Sequence, residues 1–246
     1  MGVAEFRFYG ELNDFLAPER RQAVVVRRFL GHPAVKDAIE ALGVPHPEVD
    51  VIVVNGEAAG FAHQLSDGDR VAVYPAFASI EPPAGVRVGP APLAEPRFIL
   101  DTHLGRLAAY LRMLGFDTLY RNDAADEELA RASAEEGRIL LTMDRGLLKR
   151  GEVVHGRCVR AVRPREQLAE VVRRYRLAGA AAPFRRCLRC NGELVTASRD
   201  AVRDSVPLRI LRRFDAFQEC HTCGGVYWRG SHHARMERLI AQVLSR

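Results

Sequence analysis

Between residues 97 and 176, short apolar runs alternate with amphipathic helical patterns, and this alternation constrains the fold more than any other feature. Such an order is typical of a parallel sheet with helices on its faces, so we predict an α/β architecture for this region. The predicted strands are 98–100, 118–121, 139–142 and 158–162, and the predicted helices are 103–114, 126–136, 145–150 and 165–176.

Carboxylates follow three successive predicted strands. Asp101 comes directly after the first strand, Asp123 and Asp126 follow the second, and Asp144 follows the third. In an open parallel sheet, ligands bind beyond the carboxyl ends of the strands, so these side chains are expected at one edge. Neighbouring carboxylates repel one another unless a cation such as Mg²⁺ or Mn²⁺ lies between them. Any one aspartate could simply cap the next helix, but the threefold repetition favours a metal site.

A stretch rich in Pro, Gly and Ala, from Pro75 to Pro96, contains six prolines and has no helical or strand period. We interpret it as a linker. Upstream of it, the pattern predicts a ββαββ order with a single helix and a hairpin turn at Asn55-Gly56. This order indicates a small β-grasp domain over residues 1–76, followed by a linker over residues 77–96.

The same N-terminal region resembles the ubiquitin-like sulfur carriers of molybdopterin and thiazole synthesis. The likeness lies in the Val51 to Gly56 strand and turn and in the Leu65 to Val71 segment. Those carriers act through a free C-terminal Gly-Gly, whereas this chain continues through Tyr74-Pro75 into the linker. The resemblance therefore implies the fold without sulfur transfer, and we expect a docking or regulatory module with a protein partner.

Residues 97 to 235 resemble the Mut-seven C-terminal RNase domain family, which is PIN-like. The likeness includes Leu111-Arg112, the Leu114 to Asp117 run, the acidic cluster from Asp123 to Glu127, and the Leu141 to Arg145 element. The resemblance implies nuclease chemistry in a PIN-like domain over residues 97–178. By this analogy the metal-binding acids are Asp101, Asp126 and Asp144, supported by Asp123 and Glu127. In the mechanism that follows, Arg106 and Arg145 position the RNA backbone or stabilise developing charge.

Four of the five cysteines form two C-x-x-C pairs with 29 residues between them. Two such pairs are the pattern of a tetrahedral, structural zinc site, so we predict a zinc ribbon and basic region over residues 179–246. His221 lies inside the second pair, but four thiolates already complete a site. The fifth cysteine, Cys158, is expected to be a small buried hydrophobe. The predicted zinc ligands are Cys187, Cys190, Cys220 and Cys223.

The C-terminal part of the chain is strongly basic. Residues 164–246 carry 16 arginines and 8 acidic residues, a net charge of +8, which suggests a polyanionic partner such as RNA. Trp228 could stack on bases, or it could instead pack the ribbon against the nuclease-like core. The residues predicted to contact nucleic acid are Arg106, Arg112, Arg145, Trp228, His232 and Arg235.

Together these features predict a metal-dependent ribonuclease that uses Mg²⁺ or Mn²⁺ and carries structural zinc. The alternative is a non-catalytic RNA- or ribosome-binding adaptor that keeps the fold. A sulfur carrier would need a terminal Gly-Gly, and the one Gly-Gly in the chain, Gly224-Gly225, follows the second cysteine pair. The N-terminus shows neither a secretion signal nor a membrane-spanning run, so we expect a cytoplasmic protein without a membrane partner.

Overall fold

The computed structural model of the chain describes residues 1–76, 83 and 85–245. Residues 77–82 and 84 of the predicted linker therefore lie outside the described residues. The chain forms two compact units, and each unit is built from two separate stretches of sequence. Unit 1 comprises Met1–Ala94 and Asp126–Cys158, and unit 2 comprises Glu95–Ala125 and Val159–Arg246.

Unit 1 contains a mixed five-stranded sheet with the strand order β2-β1-β5-β3-β4. Strand β1 pairs antiparallel with β2 and parallel with β5, and its residues alternate between buried and exposed, as a sheet with one covered face requires. One helix accompanies the sheet, so the predicted β-grasp architecture is confirmed. The elements are β1 (Gly2–Phe8), β2 (Val24–Phe29), α1 (Val35–Ala41), β3 (Val49–Val54), β4 (Glu57–Ala58) and β5 (Arg70–Pro75).

The predicted hairpin turn joins β3 and β4. Asn55 and Gly56 have φ angles of 53° and 92°, and Val54 pairs with Glu57 across the turn. Two consecutive positive φ angles are typical of the tight turns that match the twist of a hairpin. The side-chain oxygen of Asn55 also accepts the N–H of Arg70 at 2.9 Å, which ties the turn to β5.

A four-stranded sheet has the order β7-β6-β8-β9, with β6 parallel to β7 and β8 parallel to β9. Every residue of β6, β8 and β9 is buried, as expected for a parallel sheet covered on both faces. The predicted α/β sheet flanked by helices is therefore confirmed. Its elements are β6 (Phe98–Leu100), α2 (Gly105–Met113), β7 (Thr118–Tyr120), α3 (Asp126–Glu136), β8 (Ile139–Thr142), α4 (Arg145–Leu148), β9 (Gly156–Cys158) and α5 (Pro164–Tyr175).

The prediction of a strand over 158–162 was wrong in position, since the strand ends at Cys158. Beyond it, the backbone N–H groups of Arg160 and Ala161 are bound by the carboxylate of Glu170, at 3.1 and 3.0 Å from its Oε2 atom. A side chain of α5 thus takes the place of a neighbouring strand. The apolar composition of residues 158–162 gives no indication that a side chain replaces the neighbouring strand.

The C-terminal part of unit 2 contains an antiparallel three-stranded sheet with the order β10-β11-β12. Val202, Val206 and Leu211, which lie between β10 and β11, form a small apolar cluster with Phe217 of β11. This cluster explains why the spacer between the cysteine pairs is long. The elements are β10 (Leu194–Ala197), α6 (Leu208–Leu211), β11 (Phe217–Cys220), β12 (Val226–Trp228) and α7 (Ser231–Leu244).

Within the part of the chain that the structure describes, no helix combines the length and the apolar composition needed to span a bilayer.

Candidate functional site

Four cysteine sulfurs converge in unit 2, as the sequence predicted. The Sγ atoms of Cys187, Cys190, Cys220 and Cys223 all lie within 4.8 Å of one another. Cys187 lies 3.6 Å from Cys223, and Cys190 lies 3.3 Å from Cys220, sulfur to sulfur. A tetrahedral zinc site with Zn–S bonds of about 2.3 Å separates its sulfurs by about 3.8 Å, so the cluster is compatible with zinc.

Tight backbone turns bring the two cysteine pairs together. A Cβ atom added at Gly192 would lie 2.4 Å from the hydroxyl oxygen of Thr222 and 2.9 Å from the sulfur of Cys220, so only glycine fits there. Asn191, the residue before it, has a φ of 70°, a conformation that asparagine tolerates better than most residues. The Cys190-Asn191-Gly192 sequence therefore closes the first pair onto the second.

The four thiols are not equivalent electrostatically. Burial raises the pKa of the Cys187 thiol, but the hydroxyl of Tyr227, 3.0 Å away, and the N–H groups of Cys190 and Arg189 outweigh burial and lower it to about 6. Burial and the neighbouring thiols raise the pKa of Cys190 to about 12. Burial and contact with Cys187 also raise the pKa of Tyr227. Tyr227 thus contributes a hydrogen bond to a predicted zinc ligand.

Arg112 links the cysteine centre to α2. Its guanidinium donates to the carbonyl of Thr118 at 2.9 Å and to the carbonyls of Leu188 and Arg189 at 3.2 and 2.9 Å. The residue is only 5% exposed, and burial lowers its pKa. We predicted an RNA contact for Arg112, but a buried guanidinium that holds the first cysteine loop faces inward. We therefore leave it out of the proposed RNA surface.

Asn191 reinforces the same link. Its side-chain amide donates to Asp117 at 2.7 Å, and its side-chain oxygen accepts the backbone N–H of Thr118 at 2.9 Å. This role of Asn191 was not predicted from the sequence, although an Asn-Gly pair beside a cysteine is a recognisable turn signal.

The other residues predicted to contact RNA lie in varied environments. Trp228 is half-buried and packs against the apolar cluster within the ribbon. Arg106 on α2 and His232 and Arg235 on α7 are exposed. Arg145 is also exposed, but its guanidinium donates to the carbonyl of Phe15 at 2.9 Å.

Asp101 follows β6 directly and is only 7% exposed. Its Oδ1 atom accepts the backbone N–H of Thr102 and, at 3.0 Å, the Thr102 hydroxyl. The carboxylate is therefore the cap of the short 3-10 turn Thr102–Leu104. Asp101 therefore caps a turn at the end of a parallel strand.

The remaining acids are more exposed than Asp101. Asp144 follows β8 and caps α4 by accepting the N–H of Gly146 at 2.6 Å, and Asp126 is the first residue of α3. Asp123 lies 3.2 Å from Arg121, which lowers the pKa of Asp123, and Glu127 lies 3.0 Å from Arg150. Each carboxylate thus has a defined local environment.

The predicted acids are divided between the two compact units, with Asp101 and Asp123 in unit 2 and Asp126 and Asp144 in unit 1. Among the described residues, the four cysteines are the one group of three or more side chains gathered closely enough to share a metal ion. The structure therefore brings the predicted zinc ligands together.

Comparisons with known proteins match both the N-terminal and the C-terminal part of the chain. The sequence profile described as Mut7-C ubiquitin matches residues 1–81. Two solved structures of the small archaeal modifier protein SAMP1 from Haloferax volcanii are similar, at 23% and 22% identity and a TM-score of 0.26. Each likeness covers 31% of this chain and 97% or 100% of the other. A search of curated proteins finds no match. Because the profile described as Mut7-C RNAse domain matches residues 96–240, more than half of the sequence, the chain belongs to the Mut7-C RNAse domain family.

Proposed function

We propose that the chain is a metal-dependent ribonuclease in which Asp101, Asp126 and Asp144, supported by Asp123, hold Mg²⁺ or Mn²⁺. Membership of an RNAse domain family supports a ribonuclease-type role. The observation that carries the finer proposal is the buried carboxylate of Asp101, which directly follows a parallel strand. Ligands of parallel sheets bind beyond that end of the strands.

The donor chemistry of these acids suits a hard divalent cation, because carboxylate oxygens are the ligands that Mg²⁺ and Mn²⁺ prefer. Thr102 fixes the orientation of the Asp101 carboxylate through two hydrogen bonds, and the N–H of Gly146 does the same for Asp144. When bound, such an ion would polarise the phosphodiester and stabilise the charge that develops as the bond breaks. The exposed guanidinium of Arg106 is proposed to position the RNA backbone.

The proposed RNA surface includes the ribbon. Its helix α6 and the residues after it expose Leu208, which is 69% accessible, together with Arg209, Arg212 and Arg213. The apolar cluster beneath them keeps these side chains on a folded support. Arginine suits phosphate because its planar fork can donate two parallel hydrogen bonds. His232 and Arg235 remain candidates on α7.

A second candidate function, the non-catalytic RNA-binding adaptor, is favoured by one specific observation. Asp101 and Asp144 both serve as caps in the structure, so capping alone is enough to explain the presence of each carboxylate. An adaptor would bind RNA through its arginines, with a strong dependence on salt and without any need for the acids.

The experiment tests whether Asp101 and Asp144 act only as helix caps or also as metal ligands. Asparagine caps helices about as well as aspartate but lacks the charge that binds a divalent ion. Asp101→Asn/Asp144→Asn should therefore fold normally and lose RNA cleavage by at least about a hundredfold. Cleavage of a pool of labelled RNAs is measured with Mg²⁺, with Mn²⁺ and without added metal, with zinc content checked in each sample. Asp200→Asn, at an exposed site in the ribbon, is the matched control.

Cleavage that depends on added metal and disappears in the double variant would support the nuclease. If the double variant cleaves as fast as wild type, the proposed role of these acids is wrong. If no RNA is cleaved by wild type, yet both proteins bind RNA equally, the adaptor becomes the better explanation.

A further inference from the structure

We propose that the N-terminal domain acts as a brace, which means that it holds the residues after Asp144 in a fixed position. These residues, 145–158, are called the Asp144 segment because they directly follow Asp144. The sequence suggested a docking module with an outside partner, whereas the described contacts give this domain a partner within its own chain. The positioning role of the brace rests on the proposed function, because it concerns a proposed metal-binding acid.

The first contacts lie at the beginning of the segment, in and just after α4. Arg145 donates to the carbonyl of Phe15 at 2.9 Å, and its guanidinium carbon lies 5.1 Å from the centre of the Phe15 ring. One helical turn later, the ammonium of Lys149 donates to the carbonyl of Glu40 at 2.7 Å. Two cations of the segment thus bind backbone carbonyls of the N-terminal domain, and one of them also contacts an aromatic face.

The middle of the segment is held by a histidine. His46 is 8% exposed, and its Nε2 atom lies 2.8 Å from the carbonyl oxygen of Val153. Since a carbonyl oxygen can only accept, Nε2 is the donor in this contact. The Nδ1 atom lies 2.7 Å from the carboxylate of Glu40, which fixes the ring orientation.

The end of the segment carries the strongest contacts. Arg157 on β9 is 2% exposed and forms hydrogen bonds with both oxygens of Glu11, at 2.6 and 2.9 Å, and with Glu48 at 2.7 Å. The second oxygen of Glu48 accepts the backbone N–H of Cys158 at 2.7 Å. Glu48 is itself 1% exposed, so this carboxylate has exchanged water for contacts with the segment. Bidentate pairs of this kind fix geometry as well as charge.

These contacts constrain Asp144 through α4. The carboxylate of Asp144 accepts the N–H of Gly146 at 2.6 Å, so its orientation depends on the position of the first turn of that helix. Arg145, in the same turn, is bound to Phe15. Loosening the brace should therefore let the turn move and misplace the carboxylate, without changing any residue proposed to bind RNA or metal. Glu11, Glu48 and Phe15 are accordingly positioning residues.

The test measures the segment and the reaction separately in the full-length, zinc-loaded protein. Glu11→Gln removes a charge from the Arg157 pair while keeping its shape. Hydrogen–deuterium exchange across residues 145–158 should rise by about tenfold or more, because a lost charge-assisted hydrogen bond shifts local opening by about that factor. Phe15→Leu, which removes only the ring, should raise exchange near Arg145. Glu57→Gln, at an exposed acid on β4 of the same domain, is the matched control and should change nothing.

The single-turnover rate of RNA cleavage should fall in Glu11→Gln and Phe15→Leu, while the dissociation constant for RNA stays within about twofold of wild type. Unchanged exchange in both variants would overturn the brace. Faster exchange with an unchanged cleavage rate would overturn its positioning role. If wild type cleaves no RNA, the proposed function has failed, and the exchange measurement still decides whether the N-terminal domain holds the segment.

Discussion

The two compact units contain polar centres of different chemistry. Unit 2 gathers four thiols in a cluster compatible with zinc, whereas unit 1 buries an arginine between two glutamates. The cysteine pairs are visible in the sequence because each has a fixed local spacing. The ion cluster is not visible in the sequence, because Arg157 lies 146 residues from Glu11 and 109 residues from Glu48 along the chain. Both are polar centres, but only the first leaves a local signature.

The largest effect is expected from removing the metal, which tests the cysteine cluster of unit 2 separately from the ion cluster of unit 1. Structural zinc contributes on the order of 10 kcal/mol to the folding of small metal domains, so a chelator or Cys220→Ser should unfold the ribbon. The chain's single tryptophan, Trp228, lies in this ribbon, so its fluorescence reports on unit 2. Cys158→Ala is the control, because that thiol lies outside the cluster. Unchanged Trp228 fluorescence after complete zinc removal would contradict a structural metal.

The second-largest effect is expected from disrupting the ion cluster of unit 1. Arg157→Met removes a buried cation that binds two carboxylates, and removing one partner of a buried ion pair typically costs about 3–5 kcal/mol. Denaturant unfolding followed by circular dichroism should show this loss, while zinc content stays at the wild-type level. Arg163→Met, at an arginine whose side chain is 82% exposed, should change stability by less than about 0.5 kcal/mol. Equal stability of the two variants would show that the ion cluster contributes nothing.

The fold was largely predictable because its patterns are local. The helix over 126–136 was predicted with the observed bounds, and the Asn55-Gly56 turn has the backbone conformation its sequence favours. The strand near Cys158 was misplaced because a side chain from α5, Glu170, binds the backbone that a strand would have bound. Propensity carries no information about such a distant partner.

The candidate sites show the same difference between features with a local sequence pattern and features without one. The four cysteines were predicted from spacing, and the structure brings them together. The buried position of Arg112 could not be predicted, because an arginine on an amphipathic helix has the same local signal whether it faces solvent or a buried carbonyl. The proposed acids remain a prediction from their positions after successive strands.

Arg112 provides a third, smaller test that connects α2 with the cysteine centre. Arg112→Met removes donors from three backbone carbonyls and should cost about 2–3 kcal/mol, because buried hydrogen bonds to a charged group are lost. Zinc should also transfer faster to a competing chelator, since the first cysteine loop loses its support. Arg106→Met, at an exposed position of the same helix, is the control. If both variants release zinc at the wild-type rate, Arg112 does not support the centre.

The smallest effect concerns a carboxylate of unit 1 away from the ion cluster. Burial raises the pKa of Asp69, but the N–H of Ser66, the side-chain amide of Asn55 and the nearby His63 outweigh it and hold the pKa below its ordinary value of 3.8. A lowered pKa in the folded state stabilises the protein above the unfolded value, and that stability is lost as the pH falls through the folded pKa. Asp69→Asn should therefore cost about 1 kcal/mol near pH 7, and less as the pH falls below about 3.8. Urea unfolding of both proteins across this range measures the difference, and a cost that stays constant down to pH 2 would show that the charge of Asp69 is not what stabilises the turn.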